Sequence, residues 1–126
     1  MPKASKDSAA RVDDMGRMGE DRHEELDGYT VNFTTIRQES DLAPLLKGLP
    51  DDRCQCPHWG YVFKGKLTWR FADHEEVFEA GDAYYVPPGH IPVAAAGSEL
   101  VQFSPTQEYQ ATEAAFSKNM QAMGGN

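Results

Sequence analysis

Trp59-Gly60-Tyr61-Val62-Phe63-Lys64-Gly65-Lys66-Leu67-Thr68-Trp69-Arg70-Phe71 carries the strongest signal of fold class in the chain. Aromatic and β-branched residues recur with period two on both sides of a glycine, the pattern of half-buried strands, and Gly65-Lys66 reads as the turn of a hairpin. Downstream the same text continues. Ala72-Asp73-His74-Glu75 is a turn, Glu76–Glu79 a short strand, Ala80-Gly81-Asp82 a turn and Ala83–Val86 a strand. Pro87-Pro88-Gly89-His90 stops the pairing, since neither proline can donate to a ladder. Ile91–Ala96, Gly97-Ser98 and Glu99–Phe103 read as the last hairpin.

Upstream, Tyr29, Val31, Phe33 and Thr35 alternate with Thr30, Asn32 and Thr34, which predicts a strand and places the start of order at Gly28. Ser40–Gly48 reads as a short apolar turn or one helical turn, followed by a loop at Pro50-Asp51-Asp52. Residues 1–27 are expected to be a flexible N-terminal segment, because Val12, Met15 and Met18 are their main apolar side chains. After Pro105 the period changes: Tyr109, Thr112, Phe116 and Met120 follow helical spacing, so 106–126 is read as a C-terminal helix and tail, with Gly124-Gly125-Asn126 frayed. Short strands at regular intervals make 28–105 an all-β sandwich or small barrel.

Composition narrows the function classes. The 126 residues suit one domain, and 12 basic against 20 acidic residues give a net charge of −8, a surface that repels phosphate and argues against nucleic-acid partners. No run approaches the roughly 18–20 apolar residues of a membrane span, and the first 25 residues lack the apolar middle of a secretory signal. Two cysteines do not make a disulfide scaffold, and on an extended chain Cys54 and Cys56 sit about 6.5–7 Å apart, at the limit of disulfide geometry. A reduced, cytoplasmic protein is expected.

The chemistry concentrates in Cys54-Gln55-Cys56-Pro57-His58-Trp59-Gly60. If 54–62 is extended, Cys54, Cys56 and His58 project to one face within about 13 Å of chain, and His90 beside the rigid Pro-Pro-Gly turn is a fourth candidate. Thiolates with imidazole favour zinc, or a softer ion such as Cu(I), over magnesium or calcium. His74, among Asp73, Glu75 and Glu76, reads as a solvated hairpin tip, and His23 as an inert part of the tail. The chain holds neither a Gly-x-Ser-x-Gly elbow nor a glycine-rich phosphate loop. With no charged residue unambiguously facing inward among the donors, an anionic ligand is not indicated; the aromatic density fits an apolar or aromatic one, and a packed core equally well.

Gly81-Asp82-Ala83-Tyr84-Tyr85-Val86-Pro87-Pro88-Gly89 resembles the start of the second cupin motif, and Tyr61–Leu67, a strand closing on glycine, resembles the end of the first. The resemblance covers about residues 50–104. It implies a double-stranded β-helix, the cupin jelly-roll barrel, often dimeric, with a metal near its middle. The family's usual three histidines and one glutamate are missing. Counting back from Gly65 puts His58 at the glutamate position, Cys54 at the second histidine and Asp52 at the first. Pro92 occupies the place of the second motif's histidine, and His90 follows Gly89 directly.

The expectation is thus a metal-binding cupin with zinc on Cys54, Cys56, His58 and His90, acting on or binding a small molecule in the barrel. Four donors close a zinc site and three leave a position open. The other readings are a metal-free barrel that binds a ligand or senses redox state, and an oxygenase or isomerase with an open three-ligand site, copper and iron being the alternative metals. A homodimer is expected from the resemblance and from the strand at Tyr29–Ile36, whose edge would need covering.

Overall fold

Among the residues described by the computed structural model, 3–124, ten strands form two antiparallel sheets. Strands β1 (Arg11–Asp14), β2 (Gly19–Leu26), β3 (Tyr29–Ile36), β5 (His58–Lys64), β8 (Ala83–Val86) and β10 (Glu99–Pro105) make a sheet in the order β1-β2-β3-β10-β5-β8. Strands β4 (Ser40–Asp41), β9 (Ile91–Ala94), β6 (Lys66–Arg70) and β7 (Glu75–Glu79) make the other, in the order β4-β9-β6-β7. A single α-helix, α1 (Thr106–Gly124), closes the chain, and Ala43–Leu46 and Pro50–Asp52 are 3-10 turns. This is the all-β jelly roll that the sequence predicts. No described helix is long and apolar enough to cross a membrane.

Apart from β1, β2 and the two-residue β4, which falls where a turn was expected, the strands lie where side-chain periodicity puts them, but two of the expected hairpins are crossings between sheets. β5 pairs with β10 and β8, whereas β6 pairs with β7 and β9. The chain changes sheet at Gly65, whose φ of +82° lies in the left-handed region. A Cβ there would lie 2.3 Å from Ser98 Oγ. Ser98 sits at the second crossing, from β9 to β10, and its hydroxyl accepts from Lys66 N (3.0 Å) and donates to Lys66 O (3.1 Å). Period-two alternation signals burial of one face and carries no information about which partner a strand chooses.

Order also begins earlier than Gly28. An irregular tail is present, but it covers only residues 3–10. β2 pairs with β3 from Gly19↔Ile36 to Leu26↔Tyr29, through a two-residue turn at Asp27-Gly28 with φ of +51° and +87°. Asp-Gly is a strong signal for such a turn. The strand before it is hard to read because β2 is built from polar residues. β3 therefore lies between β2 and β10 and is not the exposed edge expected from the sequence. The expected fraying of the last residues falls at 125–126, outside the described residues, beyond a helix that runs to Gly124.

Between the sheets pack Ile36, Val62, Leu67, Trp69, Tyr84, Val86, Ala94 and Leu100. A second cluster of Leu46, Cys54 and Cys56 is covered by Leu49, Ile91, Tyr109 and Phe116, so α1 roofs the segment that carries the cysteines. Asn119 Nδ2 fixes the far end of this roof by donating to the carbonyls of Leu45 and Lys47, both at 2.9 Å.

Candidate metal centre

Backbone pairing sets the geometry. Cys54 N donates to His90 O (3.0 Å) and His90 N to Cys54 O (3.3 Å), an isolated bridge that brings the two side chains to one place although 36 positions separate them. Gly89 N also donates to Cys54 O (2.8 Å). The Pro87-Pro88-Gly89 turn thus stops the strand as the sequence suggested, and the chain after it docks His90 against Cys54.

Cys54, His58 and His90 are buried, and one ligating atom from each lies within 4.8 Å of the other two. Cys54 Sγ is 3.6 Å from His58 Nε2, and the two imidazole centroids are 4.8 Å apart. The inward parity of 54, 56 and 58 is as predicted, with Gln55, Pro57 and Trp59 less buried. Regular strand, however, starts only at His58.

Cys56 does not join the other three in that cluster. Its thiol donates to Pro57 O (3.4 Å), and it is hydrogen-bonded by Ser104, whose hydroxyl lies 2.7 Å from His58 Nδ1. Cys56 therefore stands behind His58, linked to it through Ser104. Burial pushes its thiol up to about 12, with the neighbouring Cys54 adding to the shift.

The tautomer of His90 follows from its partners. Its Nδ1–H donates to Pro87 O at 2.7 Å, so the lone pair resides on Nε2. That nitrogen is buried and has no hydrogen-bond partner among the described residues. Burial lowers His90 to about 4, against a weaker opposing effect of the Pro87 carbonyl. Burial likewise holds His58 well below its ordinary range, and the neighbouring His90 adds to this. Both rings are neutral at pH 7, the form that binds metals. Burial also raises the Cys54 thiol, and the Thr112 hydroxyl on α1, 3.3 Å from its sulfur, partly offsets that.

The environment is otherwise aromatic. Trp69 crosses His90 edge-on with centroids 4.9 Å apart and lies 6.0 Å from His58; its Nε1–H is buried and unpartnered. The other two histidines behave differently. His74 sits half-exposed between Asp73 (2.7 Å) and Glu76 (3.0 Å), as expected of a hairpin tip. His23, read from the sequence as inert, is buried in a cluster of carboxylates. Its place was hidden because β2 has no apolar alternation to mark it as ordered.

No family model matches the sequence, and no curated protein matches it. Solved structures do. An RmlC-like cupin from Shewanella frigidimarina NCIMB 400 aligns with a TM-score of 0.54 at 16% identity, over 81% of this chain and 88% of that one. A structural-genomics protein of unknown function from Rhizobium leguminosarum bv. viciae 3841 gives 0.58 at 14%, over 82% and 94%. FeII HppE gives 0.54 at 14%, over 82% of this chain and 60% of that protein. The chain has the cupin fold, and inside it Cys54, His58 and His90 stand close enough together that they could hold a metal ion.

Proposed function

We propose that the protein is a metal-binding cupin in which zinc is held by Cys54 as thiolate and by His58 and His90 through their Nε2 atoms. The observation that carries this reading is His90 Nε2, a buried lone pair without a partner, in one cluster with a thiol and a second neutral imidazole. Leaving such an acceptor unsatisfied costs about 1–3 kcal/mol, and a cation removes that cost. One sulfur and two nitrogens suit zinc, or copper, better than magnesium or calcium. Pro87 O behind His90 and Ser104 behind His58 orient the rings, as groups beyond the ligands do in metal sites.

Three protein ligands leave a fourth position. Bound zinc there supplies Lewis acidity and lowers the pKa of coordinated water. The packed aromatic interior restricts the occupant to water or a molecule of few atoms, and the unpartnered Trp69 Nε1–H favours one bearing an acceptor oxygen. A reducing compartment, the cytoplasm, suits a centre that needs a free thiol at Cys54. A homodimer would bury the outer face of β3, β10, β5 and β8. There Tyr29, Trp59, Tyr61, Phe63, Tyr85 and Phe103 stand 40–53% exposed.

Metal analysis of protein purified under reducing conditions tests the centre. About one zinc per chain is expected; His90→Ala and Cys54→Ser should lose most of it, and Cys56→Ser should keep it. Protein that stays metal-free after reconstitution with zinc would leave an apo barrel, and loss of zinc in Cys56→Ser would restore the four-donor, closed site.

A further inference from the structure

The six-stranded sheet has two more strands than its partner, and α1 packs against β3 and β10 and reaches β2 through Glu113. His23 of β2 lies beneath it, 5% exposed. Its Nδ1 is 3.1 Å from Asp21 Oδ2 and 3.6 Å from Asp13 Oδ2, and its Nε2 is 3.5 Å from Glu113 Oε2 on the helix. Asp21 is itself fixed: Asn32 Nδ2 donates to Oδ2 (2.9 Å) and Thr34 Oγ1 to Oδ1 (2.8 Å). A carboxylate so anchored accepts a hydrogen bond from Nδ1–H, and the neutral imidazole then carries its lone pair on Nε2, on the side of Glu113.

Ligating atoms of Asp13, His23 and Glu113 all lie within 4.8 Å of one another. His23 and Glu113 border a cleft of about 200 Å³, whose walls include Arg11, Thr30, Tyr109 and Gln110. Beside them, Asn32 donates a second bond to Tyr109 OH (3.0 Å), while its Oδ1 is buried without a partner, so the cluster has spare acceptors and few donors. We infer that this cleft is a second metal site, distinct from the barrel centre, that takes a divalent first-row cation on His23 Nε2, Glu113 and Asp13, with water from the cleft completing the coordination. One imidazole among carboxylates suits zinc, manganese, iron or cobalt; magnesium and calcium prefer an all-oxygen shell. Three carboxylates around one imidazole make the site negative, which favours a cation.

The site joins three elements: Asp13 on β1, His23 on β2 and Glu113 on α1. Glu113 follows Thr112, the residue whose hydroxyl touches Cys54 Sγ. A cation here fastens the helix that roofs the barrel centre.

Cobalt(II) titration of chelator-stripped protein, followed by absorption, separates the two sites, because only Cys54 gives a thiolate-to-cobalt charge-transfer band. The wild type is expected to take one equivalent with that band and one without it. Glu113→Gln, on the partly exposed helix, and His23→Gln should each abolish the sulfur-free equivalent and keep the band. Unchanged stoichiometry in Glu113→Gln overturns the inference even if His23→Gln fails to fold. So does a wild type in which His23 titrates with pH yet takes no cobalt, a proton then being the occupant. Absence of the charge-transfer band alone would refute the barrel centre and leave this site standing.

Discussion

His90 and Cys54 meet because their backbones pair, and the chemistry of the pair follows from what surrounds them. Burial keeps both imidazoles of the centre neutral, which has a consequence for the metal-free protein. His90 falls from 6.5 to about 4 on folding. Between those values the unfolded chain binds a proton that the folded one does not, so stability is complete above about pH 6.5 and is lost as pH falls towards 4. The loss from His90 alone should reach about 3 kcal/mol, read from urea denaturation of chelator-treated protein at stepped pH. In His90→Phe this part of the slope should be missing; a variant with the wild-type slope would assign the effect to other groups. Cys56 is set apart from the pair by its own partners. Two hydrogen bonds satisfy its thiol, and they hold it behind His58.

Among the elements, the crossings between sheets decide the topology. β5 and β6 are consecutive and similar in text, yet they face each other across the core, since Gly65 turns the chain against Ser98 where a side chain has no room. Gly65→Ala combines a left-handed backbone with a clash and should cost about 2–4 kcal/mol, seen as a lower denaturation midpoint with circular dichroism unchanged in shape. A loss below about 1 kcal/mol would mean that the crossing relaxes freely. β2 is ordered by different means. Its strand is held by Asp21 and His23 reaching Asn32, Thr34, Tyr109 and Glu113, a polar face in place of an apolar one.

Over the molecule as a whole, the outer face of the larger sheet dominates. Trp59 contacts Tyr85 (5.0 Å between centroids) and Tyr29 (6.4 Å), and Tyr61 contacts Phe63 (5.3 Å), so the exposed rings form two groups on this face. At their exposure the six leave open about 500–600 Å², the upper end of what monomers tolerate and most of the roughly 800 Å² that one side of a standard interface buries. A second copy docked on this face would cover it. Tyr61→Glu should convert a dimer into a folded monomer by light scattering, and a wild type that is monomeric at high concentration would remove the proposal.

Local physics writes some properties of this chain directly into its residues. The strands from Tyr29 onward, the terminal helix, the inward parity of Cys54, Cys56 and His58, and the stop at Pro87-Pro88-Gly89 follow from side-chain periodicity and from the chemistry of proline and glycine. Partner choice is not among them. Which strands pair across Gly65, that a polar segment forms β2, that Cys56 turns to Ser104 while Cys54 turns to His58 and His90, and that His23 lies under α1 emerge only in the assembled fold. Alternation reports which face is buried, whereas pairing depends on contacts between residues tens of positions apart, whose favourable energy exists only once the chain has closed on itself.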